Sequence, residues 1–422
     1  MERLSPEDLV RLFLALGTIL AAARLFGEAA RRLRQPPVLG EIAAGILLGP
    51  TVLGAIVPET MAFLVPRTGA AALALDGFRM LAITLFLLVA GLEVDLSTVW
   101  RHGRPALLIG TMGIVAPFAL GLGTAGVLDL FAVERARHPA VFPLFFATAL
   151  AISALPVIAR TLMDLGLYRT RFGMTVMAAA VFDDVIGWTI FAVLLAQVGT
   201  APEHASGMVA TVAAPFLFVA GMLLVGRPAI DRLLPRVHAA AGGPAGVLGF
   251  AAALALFGAA FTEWLGMHAI FGAFMVGVAL GDSAHLDERT RTSAGDFVSS
   301  AVAPIFFGSI GLGVDFARHF DPGLTAVVLL VACAAKILGC GLGARLAGLA
   351  PRESWALGAA MNARGSMEII VGQIALQNGL IGERMFVALV VMALVTSLMS
   401  GPAIRRLLQR TASNGPARDI LP

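Results

Sequence analysis

The stretch MAAAVFDDVIGW at positions 177–188 places two adjacent carboxylates inside an apolar run. The surrounding segment, 171–198, is long and apolar enough to cross a bilayer as a single helix, for which about 20 such residues suffice. Asp183 and Asp184 fall near its centre, where an acidic side chain costs about 2.5–3.5 kcal/mol. The stretch therefore predicts a membrane helix whose acids have partners or a function.

The composition of the whole chain is that of a membrane protein. Of the 422 residues, 58% are apolar and 14% are charged, whereas soluble domains are about 45–50% apolar and about 25% charged. The net charge of +3 is too small to indicate a nucleic-acid partner. Cys333 and Cys340 suggest neither a disulfide nor a metal site, and we interpret them as core or lipid-facing filling.

Thirteen apolar segments have the length of a membrane-spanning helix. Their connections are short, so we expect an all-α polytopic membrane protein that forms a single membrane domain over 1–422, without a soluble regulatory domain. The segments lie near 9–29, 37–56, 74–96, 105–130, 140–164, 171–198, 208–230, 244–263, 267–284, 296–315, 323–347, 353–377 and 384–403.

The arginines predict the orientation of these spans. They concentrate in the odd-numbered connections and after the last span, and lysine and arginine are enriched in cytoplasmic loops. We therefore expect the N-terminus outside, the C-terminus in the cytoplasm, and a location in the inner (plasma) membrane. The arginines on the expected cytoplasmic side include Arg31, Arg32, Arg227, Arg232, Arg236, Arg405 and Arg406.

Two pairs of segments echo each other seven spans apart. Residues 38–49 are similar to 269–281, and residues 90–96 are similar to 310–316. An odd offset makes the two copies face opposite ways across the bilayer. Inverted repeats are typical of secondary transporters, whose substrate site lies near the midplane.

The same offset links two segments that polar residues interrupt. Interruptions at matching positions of the two halves point to a transport site, because broken helices leave backbone groups available for ions. The segment near 140–164 contains Thr148, Ser153, Pro156 and Arg160, and the segment near 353–377 contains Asn362, Arg364, Gly365, Ser366 and Glu368.

The charged residues within the spans suggest what such a site does. Two neighbouring carboxylates in a poorly solvated place cannot both ionise easily, so Asp183 and Asp184 can hold either a proton or a small cation. That competition is the minimum chemistry of an antiporter. Lys336 is the only lysine in the chain and lies mid-span; an ammonium there changes its protonation more readily than a guanidinium, although it could also form a purely structural salt bridge.

Four other charged residues remain, and three of them, Arg364, Glu368 and Arg160, receive a structural interpretation. Arg364 and Glu368 are spaced to pair locally on one helix. Arg160 either reaches Glu368 or lies at the cytoplasmic end of its span. Glu41 falls early in the second segment, where it is interfacial or lines a pore.

Taken together, these motifs make the chain resemble the cation:proton antiporter-2 family, which includes Kef-type, NapA-type and plant cation/H⁺ exchangers. The resemblance implies the NhaA/NapA-like fold: two crossed broken helices, dimerisation helices near 9–96 and 244–315, and core helices near 105–198 and 323–403. It also implies an elevator-like movement of the core within a homodimer. The resembling stretches are 34–42 with 45–50, 153–160, 182–184, 271–274, 335–339 and 362–368.

The resemblance also implies roles for individual residues. Asp184 would be the main ligand for Na⁺ or K⁺, and Asp183 would pair with Lys336. Ser153, Thr148 and the backbone around 149–152 would complete the cation shell. Many similar exchangers carry Asn where this chain has Asp183, so the chain looks like the electrogenic type.

The function expected from sequence is therefore exchange of a monovalent cation, Na⁺ favoured, for protons. We expect neither an enzyme nor a cofactor. The alternatives are a K⁺/H⁺ antiporter of the Kef or plant type, a sodium-coupled organic anion symporter and a gated cation channel. An intramembrane aspartyl protease does not fit, because Asp183 and Asp184 are adjacent on one helix.

Overall fold

The computed structural model is helical throughout the part it describes, which is residues 4–412 except 34, 67, 95, 129, 131–137, 169, 199–207 and 242. No strand occurs in that part. The sequence stretches that include Arg34 and Asp95 lie partly outside the described residues. The all-α prediction is confirmed.

The helices follow one another with short connections. The helix Leu96–Val127 bends at Gly103, whose φ of 43° is in the left-handed region. The π-helical turns Met222–Gly226 and Val298–Val302 precede the helices Arg227–Ala241 and Ala303–Gly313. In chain order the helices are α1 (Pro6–Arg32), α2 (Pro37–Leu48), α3 (Leu53–Ile56), α4 (Pro58–Leu64), α5 (Ala70–Leu92), α6 (Leu96–Val127), α7 (Phe142–Ala151), α8 (Leu155–Asp164), α9 (Arg171–Val198), α10 (Met208–Gly221), α11 (Arg227–Ala241), α12 (Pro244–Trp264), α13 (Ala269–Gly281), α14 (Glu288–Phe297), α15 (Ala303–Gly313), α16 (Phe316–His319), α17 (Pro322–Leu346), α18 (Pro351–Met361), α19 (Ser366–Gln377) and α20 (Glu383–Ala412).

Ten helical stretches in the described residues are long and apolar enough to span a membrane. Three of the thirteen predicted segments fall instead on shorter helices: α7 with α8, α13, and α18 with α19. The segment predicted at 208–230 continues as one helical stretch to Ala240, because the polar helix α11 extends it. The chain is a multi-pass membrane protein.

Both predicted interruptions are breaks between half-helices. Helix α7 ends at Ala151, the backbone is extended at Ile152, and α8 begins at Leu155. A proline occupies the first turn of α8, where no backbone N–H is needed. Helices α18 and α19 are separated in the same way by residues 362–365.

The chain divides into two compact units. Unit 1 comprises Met1–Leu92, Val225–Phe261 and Gly272–Phe320. Unit 2 comprises Glu93–Leu224, Thr262–Phe271 and Asp321–Pro422, and therefore contains both broken helices.

Glycines let two helix pairs of unit 1 touch backbone to backbone. In the α2–α15 pair, a Cβ on Gly45 would overlap the carbonyl oxygen of Gly308. In the α5–α13 pair, a Cβ on Gly277 would overlap the carbonyl oxygen of Leu88. In the alignment of the repeat, Gly45 corresponds to Gly277 and Gly308 to Leu88. Helix α2 therefore crosses α15 in the same way as its repeat counterpart α13 crosses α5.

We predict that Gly45→Ala destabilises the protein by about 1–3 kcal/mol, the usual cost of overpacking a core. The added methyl group meets rigid backbone at Gly308, so no side chain can move aside. The measurement is the apparent melting temperature in detergent. Gly249→Ala on α12 is the matched control, because nothing lies within 4 Å of the added carbon. Equal melting temperatures for the two variants would contradict this backbone contact between α2 and α15.

Candidate ion-binding site

The ammonium group of Lys336 joins four helices of unit 2. It lies on α17 and is fully buried. Its Nζ donates to Oδ2 of Asp183 on α9 at 2.8 Å and to the carbonyl oxygen of Gly113 on α6 at 3.0 Å. It also donates to the carbonyl oxygen of Ala151, the last residue of α7. An ammonium has three donors, so all of them are used.

Both carbonyl groups are available to Lys336 for reasons that are visible in the sequence. An α-helical carbonyl normally accepts from the N–H four residues later. The residue four after Gly113 is Pro117, which has no N–H. Ala151 ends its half-helix, and terminal carbonyls have no intrahelical partner. Proline and a helix break therefore supply two of the three acceptors.

Arg364 binds the same end of α7 from the second broken helix. Its guanidinium donates to the carbonyl oxygens of Ala149 at 2.8 Å and Ile152 at 3.1 Å, and to that of Leu150. The side chain is fully buried. A cation at a helix C-terminus also interacts favourably with the helix dipole. The end of α7 is thus stabilised by two buried cations, Lys336 and Arg364.

Glu368 lies at the start of the neighbouring half-helix. Its Oε2 accepts from the backbone N–H of Gly365 at 2.8 Å, which caps the N-terminus of α19. The predicted local pair with Arg364 is present at 3.9 Å, but Arg364 makes its hydrogen bonds to α7. Arg160 is exposed on α8, whereas Glu368 is buried.

The two breaks contact each other through backbone and hydroxyl groups. The N–H of Ala154 donates to the carbonyl oxygen of Ala363 at 3.1 Å. The hydroxyl of Ser153 donates to the carbonyl oxygen of Met361, the last residue of α18, at 2.9 Å. Ser153 also lies beside the carboxylate of Asp183. The crossing of the broken helices thus adjoins the Asp183–Lys336 pair.

Asp184 is fully buried on α9. Its Oδ1 has no hydrogen-bond partner among the described residues. The charged groups that act on it are Asp183, Glu368, Lys336 and the exposed Glu93. A buried polar atom without a partner requires an explanation, such as an unseen ion or a proton.

Thr148 is buried on α7, one turn before the break. Its hydroxyl hydrogen is used within the helix, in a bond to the carbonyl oxygen of Leu144 at 2.7 Å. The hydroxyl oxygen of Thr148 can therefore act only as a ligand that offers its lone pairs to a cation.

The buried charges of unit 2 do not balance. Three acids and two bases are buried among its described residues, and all five form or adjoin the crossing. With every group ionised the cluster has one negative charge in excess, which a single proton or monovalent cation would neutralise. The members of this cluster are Asp183, Asp184, Glu368, Lys336 and Arg364.

Sequence reasoning missed three residues that support the site. Gly113 gives Lys336 an acceptor, and Pro117 keeps that acceptor available. The hydroxyl of Ser397 on α20 bonds to the carbonyl oxygen of Arg364. Pro117 within an apolar span was a usable signal; nothing in the sequence singles out Ser397.

The sequence of the chain is similar to that of known ion exchangers over most of its length. The sequence profile described as "Sodium/hydrogen exchanger, transmembrane" matches residues 17–410. The chain belongs to this family. It is 32% identical over 394 residues to the Na⁺/H⁺ antiporter NhaS4 of Synechocystis, covering 92% of this chain and 94% of that protein.

Other exchangers of this family differ in length. Cation/H⁺ antiporter 20 of Arabidopsis thaliana is 33% identical over 92% of this chain, which spans 47% of that protein. The Na⁺/H⁺–K⁺ antiporter GerN of Bacillus cereus is 29% identical, with 93% of this chain and 95% of that protein covered. A solved structure of a sodium/proton antiporter of Methanocaldococcus jannaschii has the same fold, with a TM-score of 0.67 at 17% identity over 96% of this chain and 99% of that one.

We predict that Arg364→Lys destabilises this exchanger. A lysine cannot reproduce the fork of donors that serves Ala149, Leu150 and Ile152, and each buried carbonyl left without a donor costs about 1–3 kcal/mol. The measurement is again the melting temperature in detergent. Arg160→Lys is the control, since it keeps the charge at an exposed position. A loss no larger than that of the control would contradict the role assigned to Arg364.

Proposed function

We propose that this protein exchanges a monovalent cation, with Na⁺ favoured, for protons at Asp184. The observation that carries the proposal is the charge of the buried cluster, which one monovalent cation or one proton would neutralise. The two compete at Oδ1 of Asp184, which has no donor among the described residues. The names of the similar proteins, Na⁺/H⁺ and cation/H⁺ antiporters, support this reading.

The proposed cycle uses the residues of the crossing. A cation enters from one side and displaces the proton of Asp184, with Ser153, Thr148 and backbone carbonyls around 149–152 as further oxygen ligands. Oxygen ligands suit hard cations such as Na⁺. The loaded site then opens to the other side, releases the cation and takes up a proton again.

We further propose that the exchange is electrogenic. Cation binding at the acid pair weakens the contact between Asp183 and Lys336, and Lys336 then gives up its own proton. Two protons then cross for one cation. Each net charge that crosses is worth about 2.3 kcal/mol per 100 mV, so the membrane potential would drive cation export.

We also propose how the protein moves, associates and lies in the membrane. We propose that unit 2, which holds the whole buried cluster, is the domain that moves in an elevator-like step, and that unit 1 forms a homodimer. The protein would lie in the inner (plasma) membrane with its N-terminus outside and its C-terminus in the cytoplasm. The family resemblance supports the first two proposals, and the distribution of arginines supports the orientation.

We predict that Asp184→Asn abolishes cation-dependent proton flux in proteoliposomes. The amide keeps the size of the side chain but can neither bind a proton in exchange nor supply a charge to a cation. Asp315→Asn is the matched control: Asp315 caps α16, and Asn caps helices equally well. Proton flux that persists in the Asp184 variant would refute the proposed site.

We predict that Lys336→Gln removes the response of exchange to an imposed membrane potential. The glutamine amide can still donate to the carbonyls of Gly113 and Ala151, but it cannot release a proton. Exchange rates are compared with the potential clamped at zero and at a negative value. Lys336→Arg should behave alike, because a guanidinium does not deprotonate. An unchanged response in both variants would exclude the coupling role of Lys336.

A K⁺/H⁺ exchanger is the second candidate. The names of GerN of Bacillus cereus and of the similar K⁺/H⁺ antiporter 1 of Saccharomyces cerevisiae include K⁺. Proteoliposomes assayed with Na⁺ and K⁺ side by side decide between the two. Proton flux with K⁺ alone would favour this alternative.

A further inference from the structure

Glu41 is a buried acid of unit 1 that the exchange cycle does not use. It lies on α2 and is only 3% exposed. Its side chain packs against Gly27 of α1, where a Cβ would lie 3.3 Å from Cγ and 3.5 Å from Oε1 of Glu41. Its carbonyl oxygen faces Gly308 of α15. The residue therefore sits where α1, α2 and α15 meet.

No basic side chain neutralises this carboxylate within the described residues. Its Oε2 has no hydrogen-bond partner there, and Glu41 forms no ion pair there. The charged groups that act on it are Arg24 and Arg31 of α1. Arg31 is exposed and pairs with Glu28 at 3.4 Å.

The other neighbouring helices offer no charge at all. The sequences of α3 and α15 contain no ionisable side chain, and Glu41 is the only charged residue of α2. Apolar, fully buried residues lie within one helical turn of Gly27 on α1 (Ala23) and of Glu41 on α2 (Ile42 and Ala44).

The fold itself does not require an acid at this position. In the second copy of the repeat the residue that corresponds to Glu41 is Ala273, which is fully buried on α13. The equivalent helix crossing is thus made with a small apolar side chain. The carboxyl group at Glu41 therefore needs an explanation other than packing.

We propose that Glu41 is a proton-binding site of unit 1, separate from the cation site and occupied when α1, α2 and α15 are packed. An ionised carboxylate buried without a donor is very costly, whereas the neutral acid costs far less. A bound proton is thus the ligand that this apolar junction accepts. The proposal concerns unit 1 alone and does not depend on the proposed function.

The proton site makes the stability of the protein depend on pH in a defined direction. The packed protein holds this proton, and the unfolded chain, whose Glu41 is solvated, releases it. Stability falls with rising pH wherever the native state binds more protons than the unfolded state. Glu41→Gln keeps the shape and removes the titration.

The test is the melting temperature of wild type and Glu41→Gln in detergent over a series from acidic to alkaline buffer. We expect the melting temperature of Glu41→Gln to rise relative to that of the wild type as the pH increases, so that the difference between the two widens toward alkaline pH. Glu59→Gln, at an exposed position of α4, is the control and should follow the wild type. A difference in melting temperature that stays constant with pH would overturn the proposal. A melting temperature of the variant that falls furthest below that of the wild type at alkaline pH would also overturn it, because that result indicates an ion pair.

A second neutral variant serves as a control in case the Glu41→Gln protein does not fold correctly. Glu41→Met has an apolar side chain of similar length, and we expect it to show the same widening difference. If both neutral variants are destabilised equally at every pH, Glu41 serves packing and the proposal is wrong. Sodium-driven proton flux in proteoliposomes should survive in both variants. Its loss would mean that Glu41 belongs to the exchange path, whereas a failure of the Asp184 test would leave the melting result unaffected.

Discussion

The bond between the Lys336 ammonium and the end of α7 connects the acid pair to the helix break. One side chain neutralises Asp183 and at the same time satisfies the terminal carbonyl of Ala151. Without it, a buried carboxylate and a buried carbonyl would both lose a partner, and each loss is expensive in an apolar interior. The broken helix and the charged helix α9 are therefore stable only together.

The two cations at this helix end differ in one chemical property. Both Arg364 and Lys336 donate to carbonyl groups near the break. A guanidinium stays charged at any pH that a protein survives, whereas an ammonium can lose its proton when its environment changes. Arg364 can thus keep the break intact while Lys336 takes part in proton chemistry. A site with two lysines or two arginines would not separate these tasks.

The sequence predicted the local features of this arrangement better than its long-range contacts. Polar residues in apolar segments marked both breaks, and the family resemblance predicted the contact of Lys336 with Asp183. The spacing of Arg364 and Glu368 predicted a local pair, yet Arg364 uses its donors on α7, more than 200 positions away. Spacing on one helix cannot report which half-helix end a crossing brings near. The acceptor at Gly113 depends in the same way on how α6 packs against α17.

Asp184 and Glu41 each have one carboxylate oxygen with no donor among the described residues, and their surroundings decide what each acid can bind. Asp184 lies among one basic and three other acidic side chains, so a cation that arrives there meets several negative charges. Glu41 packs against Gly27 of α1, and the arginines that act on it, Arg24 and Arg31, are exposed. A proton needs a single carboxyl oxygen, which Glu41 supplies. The same functional group can therefore exchange ions in unit 2 and hold a proton in unit 1.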